Sequence, residues 1–140
     1  MNVLFHLAFP VHDLEAAKQF YVRGLGCHLG RTSASAMTLG LAGHQIIAHL
    51  DPENPKQQQG VYPRHFGLVF LSRSDWEELA RRAEENGLNF YQKPRRRFPD
   101  TPLEHETFFL EDPSRNLLEF KHYTSESAIF GEQRFSEVGD

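Results

Sequence analysis

The chain has 140 residues, 39% hydrophobic and 24% charged, with a formal net charge of −4. That length suits one domain, or two small modules sharing a core. The negative balance gives no electrostatic case for nucleic acid or an anionic membrane, and no apolar run approaches the roughly 20 residues that span a bilayer.

The single cysteine, Cys27, excludes an intramolecular disulfide and fits a reducing compartment. Met1 to Val11 lacks the basic start, apolar core and cleavage site of a signal peptide, so a cytoplasmic location is expected. Eight histidines make a metal site worth seeking.

Val3 to Val11 opens the chain in strand period, with Phe5, Leu7 and Phe9 alternating with His6 and Ala8. Asp13 can cap a helix whose apolar stripe is Leu14, Ala17, Phe20, Tyr21 and Leu25, ended by Gly24 or Gly26. Three short strands are expected next, over 27–33, 36–41 and 44–50. A linker follows at 51–62, with two prolines and three successive glutamines.

The pattern then restarts. A strand runs from His65 to Leu71, and a helix over 75–86 can be capped by Ser72 or by Ser74, the latter in capping-box spacing with Glu77. Leu88 to Gln92 reads as a strand, 93–102 as a basic proline-bounded loop, and 106–110 and 116–122 as a closing hairpin turned at Asp112-Pro113. The segment 123–140 reads as a polar tail.

The chain therefore reads β-α-β-β-β twice: a first module over 1–50, the linker, and a second module over 63–122. His6 precedes Asp13 by seven residues and His65 precedes Ser72 by seven. This repeat predicts an α+β fold in which two βαβββ modules, related by a pseudo-twofold, form a curled mixed sheet around a metal cavity. In each first strand the histidine faces away from the helix-packing apolar residues.

Glu119, between Leu118 and Phe120 on the last strand, would point into the same cavity. A carboxylate on such a sheet is costly unless neutralised. Two imidazoles and one carboxylate around a divalent ion solve that problem. The set His6, His65 and Glu119 is a facial triad that suits Fe(II) first and also Mn, Zn, Co or Ni.

The chain also resembles the vicinal-oxygen-chelate superfamily of glyoxalases, bleomycin-resistance proteins, fosfomycin-resistance thiol transferases and extradiol dioxygenases. The resemblance covers about residues 3 to 122. Its carriers are His6-Leu-Ala-Phe-Pro-Val, then Asp13-Leu-Glu-Ala-Ala-Lys-Gln-Phe-Tyr with Gly24-Leu-Gly26, His65-Phe-Gly-Leu-Val-Phe, and Phe108-Phe-Leu-Glu-Asp-Pro-Ser-Arg-Asn-Leu-Leu-Glu119-Phe.

The resemblance implies the glyoxalase/bleomycin-resistance/dioxygenase fold, metal ligands at His6, His65 and Glu119, a small-molecule substrate, and a homodimer. Overlay of the two modules puts Ala48 at the family's fourth ligand position, where glyoxalases carry a carboxylate; a shift of one residue would put Ile47 or His49 there. Phe109 stands where the ring-cleaving enzymes have tyrosine, and Arg115 where the turn usually has glycine.

The expected activity is that of an extradiol-type dioxygenase chelating a substrate with vicinal oxygens. The alternatives are a metal-dependent thiol transferase, isomerase or lyase, or a non-catalytic ligand-sequestering protein of the bleomycin-resistance kind. His105 leads the acid–base candidates, ahead of His44, His49, Glu104 and Tyr123. His122 should leave the cavity, Cys27 should pack as a small hydrophobe, and Arg96 and Arg97 of the basic run can hold an anionic substrate group.

Overall fold

A computed structural model describes residues 1–53 and 58–131. The strands are β1 (His6–Val11), β2 (His28–Thr32), β3 (Ala36–Leu41), β4 (His44–Leu50), β5 (Phe66–Val69), β6 (Asn89–Arg97), β7 (His105–Glu111) and β8 (Leu117–Tyr123). The helices are α1 (Leu14–Lys18), α2 (Arg73–Glu85) and α3 (Ser127–Phe130). The strands form two four-stranded mixed sheets ordered β1-β4-β3-β2 and β5-β8-β7-β6. In each sheet the first strand pairs parallel to the last, and the others pair antiparallel. The two sheets thus repeat one topology, as the sequence period predicts.

The Asp13 carboxylate caps α1 by accepting from the Ala16 amide, and the helix continues as a π-helical turn over Gln19–Gly24. Ser72, not Ser74, caps α2: its side chain accepts from the Asp75 amide, and Ser74 lies inside the helix. The segment expected as a loop from Lys93 is strand as far as Arg97, because β6 is an edge strand whose missing Pro94 N–H costs no ladder bond. The Ala42-Gly43 turn has positive φ at both residues, which matches the twist of the β3–β4 hairpin. Arg115 has φ +66°, so the β7–β8 turn holds it in the left-handed conformation that glycine takes most easily.

One aromatic core joins the modules. Phe9, Phe20, Tyr21, Trp76, Phe108 and Phe120 are buried in it, and the Phe9 ring lies 5.2 Å from that of Phe66. Cys27 packs at its edge, where burial pushes its thiol up to about 12. Phe5 departs from the expected pattern: it is 61% exposed, outside this core. The sheet faces away from this core carry the residues of chemical interest. Among the described residues, no helix is long and apolar enough to cross a membrane.

Candidate metal centre

The period-2 pleat and the strand register decide which side chains share a face. Phe109 pairs with Glu119, Thr107 with Lys121, and His105 with Tyr123. Directly opposed residues point the same way. Leu118 and Phe120 are fully buried against the helices, so Glu119, Lys121 and Tyr123 project from the opposite face.

His65 immediately precedes β5. Its Nδ1 donates to the Val61 carbonyl at 2.7 Å, which fixes the tautomer and turns Nε2 toward Glu119, 3.3 Å from Oε1. The Thr107 hydroxyl donates to the other Glu119 oxygen at 2.6 Å, and Lys121 Nζ lies 3.7 Å from Oε1. Burial alone would raise the Glu119 carboxyl, but hydrogen bonds from His65 and Thr107 and the Lys121 charge together hold it down at about 2. The Glu119 hydrogen bond raises the His65 imidazole above its usual range against the pull of burial.

Gly67 permits this arrangement. It pairs with Glu119, and a Cβ placed on it would stand 1.7 Å from the Glu119 carbonyl oxygen. Only glycine admits that approach of β5 to β8.

The first module presents a different face. His6 is exposed, and its Nδ1 donates to Gln45 Oε1 at 2.7 Å, leaving Nε2 available. The expected third ligand does not meet the other two within one chain: among the described residues, no three His, Cys, Asp or Glu side chains converge. The contacts of β1 give the reason. It meets the second module through its far end, where Phe9 packs on Phe66 and the Pro10 carbonyl accepts from Asn116. Ala8 and Pro10, but not His6, line a pocket of about 140 Å³ with His65. Leu7 and Phe9 line that pocket as well, and His6 stands at the start of β1 beyond it.

The register also corrects the overlay of the modules. Gly67, two residues after His65, pairs with Glu119; Ala8, two residues after His6, pairs with Ile47. The counterpart of Glu119 is therefore Ile47, while Ala48 is fully buried on the helix side. Ile47, like Ala48, is not a carboxylate.

The remaining candidates separate by face. His105 is buried beside Tyr123, with ring centroids 5.0 Å apart. Its Nδ1 donates to the Leu103 carbonyl at 2.9 Å, and burial lowers its basicity below the usual imidazole range. Arg97 pairs with His105 and shares its face, but Arg96 pairs with Glu106 on the α2 side, so Arg96 turns away from the site. His122 also pairs with Glu106 and hydrogen-bonds the Phe70 carbonyl, outside the site as expected. His44 is bonded to the Phe5 amide and Glu104 to the Asp100 amide and the Thr124 hydroxyl. His49 is exposed beside Pro10 on the first module. Sequence reasoning missed Thr107 and Lys121; the two-residue spacing of Lys121 from Glu119 was the available signal.

A sequence profile of the Glyoxalase/Bleomycin resistance protein/Dioxygenase superfamily matches residues 3–120. The chain belongs to that superfamily. A glyoxalase/bleomycin resistance protein/dioxygenase from Alicyclobacillus acidocaldarius is 43% identical, with a TM-score of 0.87, over 92% of this chain and 97% of that one. The fosfomycin resistance protein FosX from Listeria monocytogenes shares the fold at 18% identity and a TM-score of 0.68, over 91% of this chain and 98% of that one. A superfamily protein from Nocardioides is likewise 18% identical, with a TM-score of 0.66, over 90% of this chain and 86% of that one. No curated protein sequence matches the chain. Superfamily membership fits the paired βαβββ sheets and gives the His65–Glu119 face a context of small-molecule and divalent-metal chemistry, without fixing the reaction.

Proposed function

We propose that this chain is a divalent-metal-dependent enzyme of the extradiol-dioxygenase type, with Fe(II) as the preferred ion. His65 and Glu119 of one copy and His6 of a second copy would hold that ion. The observation that carries this reading is the oriented pair on the sheet face turned from the core: His65 Nε2 beside Glu119 Oε1, with His65 Nδ1 committed to a carbonyl. A carboxylate held ionised beside an imidazole with a fixed tautomer is a suitable donor set for a divalent ion.

Two observations favour a shared site. His6 has the same Nδ1-bound orientation yet stands apart from the pair. The residues beside it form an exposed apolar run, Val3 67%, Leu4 68% and Phe5 61%, which a partner surface would cover.

A bound divalent ion would supply Lewis acidity toward two vicinal substrate oxygens and, as Fe(II), a position for O₂. The chain's own residues do the rest. His105 stays neutral near pH 7, so its Nε2 can accept a proton from a substrate hydroxyl. Phe109, packed edge-on against His65 at 5.1 Å, keeps water from that side of the pair. Phe109 also brings no hydroxyl opposite Glu119, which favours thiol transfer, isomerisation or lyase chemistry as the second reading.

Subunit mixing tests the site. His6→Ala and Glu119→Ala homodimers should each lose metal, whereas mixed dimers should regain one intact site of two. Ligands drawn from a single chain would give no recovery. Oxygen uptake by the Fe(II)-loaded protein on a catechol panel, lost in His105→Ala, tests the reaction. Uptake absent across the panel, with turnover of an epoxide by a thiol, would assign thiol transfer.

A further inference from the structure

We infer that Thr107 is the positioning residue of this site: its hydroxyl occupies one oxygen of Glu119, leaves the other as a single-oxygen ligand, and so makes the site favour small divalent ions such as Mn(II) over Ca(II). This inference rests on the proposed metal site and adds what selects the ion.

The strand register sets the contact. Phe109 stands opposite Glu119 and Thr107 opposite Lys121, so Thr107 is the diagonal neighbour of Glu119 across β7 and β8. Thr107 is 1% exposed, which shuts its hydroxyl off from bulk water. That hydroxyl donates to Glu119 Oε2 at 2.6 Å, the length of a charge-assisted O–H···O⁻ bond. A threonine hydroxyl has one proton to give, and this one is committed. Branching at Cβ restricts the Thr107 rotamer, so its hold on Oε2 also fixes a direction.

The two oxygens of Glu119 therefore differ. Oε2 meets a neutral, buried hydroxyl. Oε1 meets the nitrogen groups, with His65 Nε2 at 3.3 Å and Lys121 Nζ at 3.7 Å. His65 is prepared in the same way, since its Nδ1 is bonded to the Val61 carbonyl. Val61 is itself anchored, packing with Phe109 and Leu117 in a small apolar cluster apart from the main core. Each side chain thus has one polar atom held by a neighbour. The atoms left over, Nε2 and Oε1, face each other.

Ion preference follows from this asymmetry. Ca(II) takes roughly six to eight oxygens at about 2.3–2.6 Å and often uses both oxygens of a carboxylate. Smaller transition ions accept a mixed set of imidazole nitrogen and carboxylate oxygen, with fewer and shorter bonds. A glutamate whose second oxygen is engaged suits the smaller ions and disfavours calcium.

The hydroxyl can be removed without changing the shape of the side chain. Thr107→Val does this, and Thr107→Ser keeps the hydroxyl. Mn(II) and Ca(II) binding to chelator-stripped protein is measured by calorimetry. Thr107→Val should weaken Mn(II) at least about tenfold, the scale of losing a partner behind a metal ligand, and leave Ca(II) unchanged or tighter. Thr107→Ser should keep the preference of the unaltered protein. Infrared difference spectra, Mn(II)-loaded minus stripped, read the carboxylate directly. The wide splitting of a one-oxygen ligand should appear in the unaltered and Thr107→Ser proteins, and a narrower, two-oxygen splitting in Thr107→Val.

An unchanged ion preference and splitting in Thr107→Val would overturn the role of Thr107 while the metal site stands. So would equal weakening of both ions, which marks a merely structural hydroxyl, or a Thr107→Ser protein that behaves like Thr107→Val. Refusal of Mn(II) by the unaltered protein would overturn the metal reading and this inference with it. Urea midpoints check that the variants fold; if the buried valine does not, Thr107→Ala against Thr107→Ser gives the same comparison.

Discussion

The two modules share a topology but not a division of labour. Along the second, His65, Glu119, Thr107 and Lys121 are already linked by hydrogen bonds and ion pairs, with His105 and Arg97 in the next row. Along the first, the corresponding face offers His6 braced by Gln45, with Ala8, Thr38 and Ile47 as neutral walls. The difference shows how a repeated fold can concentrate costly groups. Burying a carboxylate requires partners, and the second module has gathered them around Glu119 while the first keeps Ile47 at that position.

The sharpest way to break this comparison is at the paired positions Gly67 and Ala8. Each lies two residues after its histidine, opposite the last strand of its module. Gly67→Ala should destabilise by about 3 kcal/mol, since its Cβ meets backbone at 1.7 Å and not a yielding side chain. It should also disturb the His65–Glu119 pair. Ala8→Gly should cost only about 1 kcal/mol, the usual penalty of glycine in a strand. Urea midpoints of the two variants measure the contrast, and equal losses would mean that the close approach of β5 to β8 is not special to the site.

A smaller effect separates Glu119 from Ile47 through pH. The Glu119 carboxyl is held down at about 2, well below its ordinary 4.5. Its contribution to stability is therefore fully present above about pH 4.5 and lost as pH falls through about 2. At roughly 1.4 kcal/mol per unit, the loss is on the order of 3 kcal/mol by pH 2 in metal-free protein. Glu119→Gln should flatten this acid limb, and Ile47→Val should leave it intact. Denaturant titrations from pH 6 to pH 2 decide the matter, and an unchanged acid limb in Glu119→Gln would count against the hydrogen-bonded carboxylate.

Much of this division was legible in the sequence. Equal spacing from histidine to helix cap gave the repeat, and Leu118-Glu119-Phe120 gave the projecting carboxylate, because alternation on a half-buried strand is strongly specified. Choosing between Ala48 and Ile47, or between Arg96 and Arg97, required the partner strand, since a one-residue slip reverses every face. Pro94 concealed the length of β6 because proline is excluded from interior strands but not from edges. The separation of His6 from His65 could not be read at all: two modules repeated in one chain carry the same pattern whether they build a cavity together or with another copy.

The smallest effect compares the two hairpin turns. The first module turns on Ala42 and Gly43, at φ +49° and +85°; the second holds Arg115 at φ +66°. A left-handed conformation costs an ordinary residue about 1–2 kcal/mol, and glycine escapes it at the expense of a more flexible unfolded chain. Arg115 also has a further interaction in the structure, and any part of it made by the side chain is lost in glycine. The backbone gain should still prevail, so Arg115→Gly should stabilise by about 0.5 kcal/mol, visible as a rise of a few degrees in Tm. A lowered Tm would show that the Arg115 side chain outweighs its backbone strain and is part of what holds the β7–β8 turn beside Pro10 and Asn116.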